Sequence, residues 1–228
     1  CLGRFQHLTI FDLWSLCHVV KISELIFFAY FDFLRDTYNM KLVYLFRHGQ
    51  TEDNSNRIIQ GQSDSLLTPE GINSIKKRAK KISDITFNEI YCSPLGRARS
   101  SLDILLKELK QNTNVAYLDE LMEIDFGRYT KKNINEIIDI IKTHKKNTAK
   151  PYPGGESGDM LKERVIRFMN EFVIKNDGKY FLVMTHYGVI ETIIQHYNNL
   201  SSEEIRSKKD TIIRLSLNRN NVDVSFEE

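Results

Sequence analysis

From Met40 onward the chain alternates between two hydrophobic patterns. Residues 42–46, 90–92, 115–118 and 181–184 are continuously apolar, the pattern of buried strands in a sheet covered on both faces. Between them the apolar spacing becomes helical. Ile72, Ile75, Ala79 and Ile82 share a face behind Thr68-Pro69, a cap followed by a first-turn proline. Ala98, Leu102, Leu105 and Leu109 form a second stripe, and Ile134, Ile137, Ile138 and Ile141 a third. The longest runs through Leu161, Val165, Phe168, Met169 and Phe172, opened by Ser157 as its N-cap, and the last through Val189, Ile190, Ile193, Ile194 and Tyr197. Two further strands, 213–217 and 222–226, flank "NRNN" as a hairpin turn. Alternating strands and helices predict an α/β fold, a three-layer α/β/α sandwich around a mostly parallel, mixed sheet. With no internal repeat and no low-complexity linker, residues 40–228 read as one domain.

Residues 1–39 stand apart. They are apolar and aromatic in patches, as in "LIFFAYFDFL", yet Glu24, Asp32, Arg35 and Asp36 keep uncharged runs far below the ~20 residues that span a bilayer. No basic segment precedes an apolar core with a small-residue cleavage site, so no signal peptide is expected. Met40-Lys41 lies directly before the first strand. Two readings of the stretch remain: a translated upstream leader, or an N-terminal helical extension.

Composition narrows the function classes. The 228 residues, 41% hydrophobic and 27% charged, have the balance of a soluble globular protein. A net charge of +2 points to neither nucleic acid nor an anionic membrane as partner, so any preference for anions must come from a local site. Cys1, Cys17 and Cys92 are odd in number and lack C-x-x-C spacing, which fits neither a disulfide framework nor a zinc ribbon. Reduced thiols in a cytoplasmic protein are expected, with Cys92 a small buried hydrophobe.

Ligands of open α/β sheets sit beyond the carboxyl ends of the strands. Arg47-His48-Gly49 follows the first strand, "CSPLGRARS" with Arg97 the second, "LMEIDFG" with Glu123 the third, and "MTHYG" with His186 the fourth. Taken singly, each is an ordinary surface or strand-end residue; together they aim two arginines, two histidines and a carboxylate at one rim. Two guanidiniums among helix N-termini suit phosphate. Histidines among cations are held neutral and nucleophilic, able to form a phosphohistidine. Gly49 allows a sharp turn and close backbone approach. No H-x-x-x-H or H-x-H spacing and no carboxylate cluster suggests a metal site.

"FRHGQTEDN", "RIIQGQSDSLLTPEG", "YCSPLGRARSS", "LMEIDFG", "PGGES" and "THYG", in that order, resemble the histidine phosphatase superfamily, the phosphoglycerate mutase-like clan, over nearly all of residues 41–200. The resemblance implies that His48 is the phosphorylated nucleophile, with Arg47, Asn54, Arg97 and His186 as phosphate contacts and His186 also a catalytic residue. It implies Glu123 as proton donor to the leaving oxygen and then base for water, Gln60 and Gly61 as lining of the pocket mouth, and Glu156 as a pocket-wall residue. For Glu156 the competing reading is a helix-start carboxylate favoured by the dipole. No cofactor is implied. After "FG", where many relatives carry a tryptophan, an acid and a glycine, this chain has Arg128, Tyr129, Thr130 and Lys131, which leaves the aromatic role to Tyr129 and the acid without a counterpart.

The resulting expectation is a metal-independent phosphomonoester hydrolase acting on a small phosphorylated metabolite, as a monomer or homodimer, without nucleic-acid or membrane partners. The alternatives are a cofactor-dependent phosphoglycerate mutase or a non-catalytic phosphate-binding domain. The stretch from Glu123 to His186 lacks the long insertion of such mutases, which favours access of water and hydrolysis. "PGGES" and the compact size are shared with broad-specificity, alpha-ribazole-phosphate and sugar-phosphate phosphatases. Lys145, Lys146 and Lys150 read either as a lid favouring multiply anionic substrates or as a solvated helix face.

Overall fold

All six expected strands form and pair into one mixed sheet in a computed structural model that describes residues 40–208, 210–218 and 221–227. The strands are β1 (Lys41–Arg47), β2 (Glu89–Cys92), β3 (Val115–Tyr117), β4 (Tyr180–Thr185), β5 (Ile212–Leu217) and β6 (Val222–Glu227), ordered β3-β2-β4-β1-β5-β6. β1 pairs in parallel with β4 from Leu42↔Tyr180 to Arg47↔Thr185. β2 runs parallel to both β3 and β4, whereas β5 is antiparallel to β1 and to β6. The middle of the "NRNN" turn, like residues 1–39, lies outside the described residues.

Around the sheet pack α1 (Glu52–Ser55), α2 (Pro69–Lys81), α3 (Gly96–Leu109), α4 (Ile134–Lys146), α5 (Gly158–Phe168), α6 (Tyr187–Tyr197) and α7 (Ser202–Ser207). The alternation of side chains along a strand sorts β1 into two cores. Val43 and Leu45 face Leu161, Val165 and Phe168 of α5 and Val189, Ile190 and Ile193 of α6. Tyr44 and Phe46 face Ile75 and Ala79 of α2 and Ala98, Leu102 and Leu105 of α3. This gives three layers. Lys41–Glu228 form one compact unit. Thr68 caps α2 by accepting the Gly71 N–H, and Ser157 caps α5 through Met160.

Three expectations change on folding. β3 is not a buried strand: Val115 is half-buried and Ala116 and Tyr117 are exposed, because at the sheet edge it has a neighbour on one side only. In the stripe of α4 only Ile137 is buried, so this helix does not belong to either core. The longest helical stripe is broken, α5 passing into a π-helical turn over Met169–Ile174 that buries Met169 and Val173. Among the described residues no helix is long and apolar enough to cross a membrane.

Main-chain ladders continue past the carboxyl ends of the central strands. His48 donates its N–H to Thr185 O (3.0 Å) and Ser93 donates to Met184 O (2.9 Å). Side chains that follow β1, β2 and β4 are thereby fixed at one edge.

Candidate active site

At that edge opens a cleft of about 820 Å³. Of the sequence-predicted residues, Arg47, His48, Asn54, Gln60, Gly61, Arg97 and Glu123 line it. His186 is wholly buried, its ring centroid 5.1 Å from that of His48.

The tautomer of His48 follows from its neighbours. Nδ1 lies 2.7 Å from the Gly49 carbonyl, which only accepts, so Nδ1 carries the proton. Nε2 lies 3.3 Å from Arg97 Nε, which only donates, so Nε2 presents its lone pair. Burial, then the charges of Arg47 and Arg97, hold the ring's pKa well below the usual histidine range. His186 is shifted the same way by burial, Arg97 and His48. Its Nε2 is 2.7 Å from Ser93 Oγ, and its buried Nδ1 has no partner.

Arg97 is the second residue of α3, a helix whose N-cap, Leu95, offers no capping side chain. Asp64 supplies the cap from a distant loop: Oδ2 accepts from Gly96 N (2.7 Å) and Oδ1 from Arg97 N (3.1 Å) and Nη1 (3.0 Å). The carbonyls of Ser63 (2.6 Å) and Gly61 (2.7 Å) take further guanidinium N–H groups. Gly61 adopts φ +51°, a left-handed turn that glycine enters without a Cβ penalty. Gln60 is buried and donates to Thr51 Oγ1 and Ser65 Oγ, so it braces this loop.

Arg47 ends β1. Its buried Nε has no partner, and Asp210 lies 3.8 Å from Nη1. Asn54 closes a capping box with Thr51, its Oδ1 accepting the Thr51 N–H, which leaves the amide Nδ2 to donate. Glu123 faces the start of α6: Oε2 accepts from Gly188 N (3.3 Å) and Oε1 from Ile124 N (2.9 Å).

Glu156 departs from expectation. It is no part of the cleft wall; Arg164 Nε and Nη2 hold its two oxygens at 2.8 and 2.9 Å, and Asp125 N donates at 3.0 Å. Burial opposes its charge, but Arg164 outweighs it and lowers the pKa. The same guanidinium clamps the carbonyls of Glu120, Met122 and Glu123. Glu156 and Arg164 therefore fix the loop that carries Glu123. Of the three lysines, Lys145 lines the cleft and is held by both oxygens of Glu191 (2.9 Å each), whereas Lys146 and Lys150 are exposed and lie off it. Cys92 is buried and its thiol is pushed up to about 12, which suits an inert core residue.

Sequence reasoning missed Asp64, Ser93, Arg78 and Arg164. Arg78 donates to the Arg47 carbonyl (3.0 Å) and adds positive charge near His48. Asp64 and Ser93 stood inside the quoted motifs; the uncapped start of α3 was the available signal for Asp64. The arrangement offers a neutral imidazole lone pair among fixed cations, with a carboxylate on the same cleft.

A probable phosphatase of Schizosaccharomyces pombe is 31% identical over 157 residues, covering 68% of this chain and 72% of that protein. The crystal structure of a putative alpha-ribazole-5'-P phosphatase from Escherichia coli superposes with a TM-score of 0.70 at 20% identity, over 82% of this chain and 95% of that one. A phosphoglycerate mutase from Bacillus anthracis gives 0.71 at 20% identity, over 83% and 93%. Residues 43–221 match the profile of the histidine phosphatase superfamily (branch 1), and the chain belongs to that family.

Proposed function

We propose that the protein hydrolyses phosphomonoesters through a covalent phosphohistidine on His48, without a metal. The observation that carries this reading is the His48 ring itself, neutral, protonated on Nδ1 and with its Nε2 lone pair facing the Arg97 Nε–H. Substrate phosphoryl oxygens take the donors of Arg47 Nε, Asn54 Nδ2, Arg97 and His186 Nδ1, two of which are buried without partners until then. Arg97 Nε–H then turns from His48 to a phosphoryl oxygen, which frees the Nε2 lone pair. Nε2 attacks phosphorus; the P–O bond to the alcohol breaks as Glu123, protonated, gives its proton to the leaving oxygen. Glu123, now a carboxylate, removes a proton from water as the water oxygen attacks phosphorus. The N–P bond breaks, inorganic phosphate leaves and Glu123 is again protonated.

Magnitudes divide the labour. Phosphate-monoester hydrolysis needs accelerations up to ~10²¹. A positioned acid contributes about 10²–10⁴, so covalent attack within the preorganised positive pocket must supply most of it.

The test is phosphate release together with trapping of acid-labile, base-stable label from a ³²P-monoester. His48→Ala is expected to abolish both, while Glu123→Gln slows turnover and keeps phosphate binding. Retained turnover in His48→Ala overturns the assignment. Incubation with 3-phosphoglycerate and a bisphosphoglycerate primer separates a mutase, which returns the phosphoryl group to the acid, from a phosphatase, which gives it to water.

A further inference from the structure

We infer that the substrate of this cleft is a phosphomonoester with a bulky, largely apolar leaving group, which deepens, and rests on, the hydrolase reading above. The starting point is size. The cleft of about 820 Å³ falls within the range of about 300–1,000 Å³ of pockets that bury most of a drug-sized ligand. A three-carbon leaving group beside His48 would leave most of that space to water.

The second observation is the lining. Away from Arg47, His48 and Arg97, and interspersed with polar side chains such as Asp159 and Gln195, the apolar part of the wall is built from Ile58, Ile59, Ile124, Phe126, Ile141 and Leu161. They come from four separate stretches of the chain, and all but Leu161 are half-buried. This also accounts for α4, whose apolar stripe enters neither core: Ile134 and Ile141 border the cleft. An apolar helix face kept out of the core and turned to a cleft next to an anion site calls for an apolar ligand.

The third observation concerns charge. Lys145, the cation that α4 contributes, is neutralised by both oxygens of Glu191, and the Tyr187 hydroxyl donates to Glu191 Oε1 at 3.0 Å. Arg206 lies over the Tyr187 ring, 5.8 Å from its centroid. Arg57 and Lys162 also border the cleft but are exposed. A second anionic group on the substrate thus meets engaged or solvated cations, whereas an apolar body meets these six apolar side chains.

The experiment compares kcat/KM for n-propyl phosphate, 3-phenylpropyl phosphate and 3-phosphoglycerate. The first two alcohols leave with similar basicity, so their difference reads the cleft. A buried methylene is worth about fourfold in affinity, so burying the equivalent of three gives a preference on the order of 60-fold for the phenylpropyl ester. Ile141→Ala, at a helical position where alanine is favoured, is expected to cut that preference by about fourfold to tenfold. Calorimetric binding of 3-phenylpropylphosphonate against propylphosphonate reads the same preference without turnover. If no ester is hydrolysed but the phenylpropylphosphonate binds more tightly, the cleft assignment stands and the hydrolase reading falls. If esters are hydrolysed with the propyl and phenylpropyl compounds within about threefold, or with 3-phosphoglycerate preferred, the apolar-substrate assignment is overturned alone. An equal loss on both alkyl esters in Ile141→Ala overturns it as well.

Discussion

Gly188→Ala isolates the acid role of Glu123 without touching Glu123. Gly188 is the second residue of α6, and its N–H reaches Glu123 Oε2. A Cβ there would lie 3.3 Å from Glu123 Cδ and closer still to Oε1. The backbone of Glu123 cannot yield easily, because its carbonyl accepts from Arg164 Nη2 (3.1 Å) and Gln62 Nε2 (3.2 Å). The carboxylate must therefore rotate away. The helix is not harmed, since alanine is favoured over glycine in helices by up to about 1 kcal/mol, so stability is expected to hold or rise slightly. Loss of a positioned acid costs about 10²–10⁴ in rate, or about 2.7–5.4 kcal/mol of barrier. The assay is kcat/KM, which reports steps up to the first phosphoryl transfer, on n-propyl and 4-nitrophenyl phosphate. The alkoxide needs a proton and should show the full loss; the weakly basic nitrophenolate should lose less than about tenfold. An equal loss on both esters, or an undiminished rate on the propyl ester, would refute the role given to Glu123.

Two further outcomes follow from the same geometry. His48 and His186 stay neutral when folded, chiefly through burial, but both protonate near pH 6.5 when unfolded. Below about pH 6.5 the unfolded chain binds more protons, so stability falls with falling pH, at up to about 1.4 kcal/mol per pH unit per histidine, and is flat in this respect above about pH 7.5. Urea unfolding between about pH 5 and 7.5 should show a shallower slope for His186→Gln than for the parent, and parallel slopes would count against it. Asp64→Ala removes the cap of α3 and an ion pair to Arg97, with an expected stability loss of about 2 kcal/mol. Inhibition by inorganic phosphate should weaken about tenfold in parallel; a loss of stability with unchanged phosphate inhibition would make Asp64 a cap and nothing more.

Much of the architecture was legible because burial leaves a periodic trace. The runs at 42–46 and 181–184 became the paired central strands β1 and β4, and the stripes of α2, α3 and α6 became core faces. The same signal over-read two elements. Residues 115–117 are apolar enough for a buried strand, yet an edge position leaves them exposed. The α4 stripe is indistinguishable from a core stripe until the cleft beside it is known. Glu156 was legible as a charged residue in a motif but not as the partner of Arg164, since a pattern of residue types does not state which way a carboxylate turns.

By itself, the chain determined the layering and which chemical groups stand at the strand ends, because strand and helix periods and residue identities are local properties. Tertiary structure alone decided how those groups act together: the lone pair of His48 opposite Arg97, the loop carboxylate of Asp64 at the start of α3, and Glu123 against Gly188. Those contacts join segments 33 to 65 residues apart, and their ångström-scale distances and approach angles are set by how layers pack rather than by any local spacing.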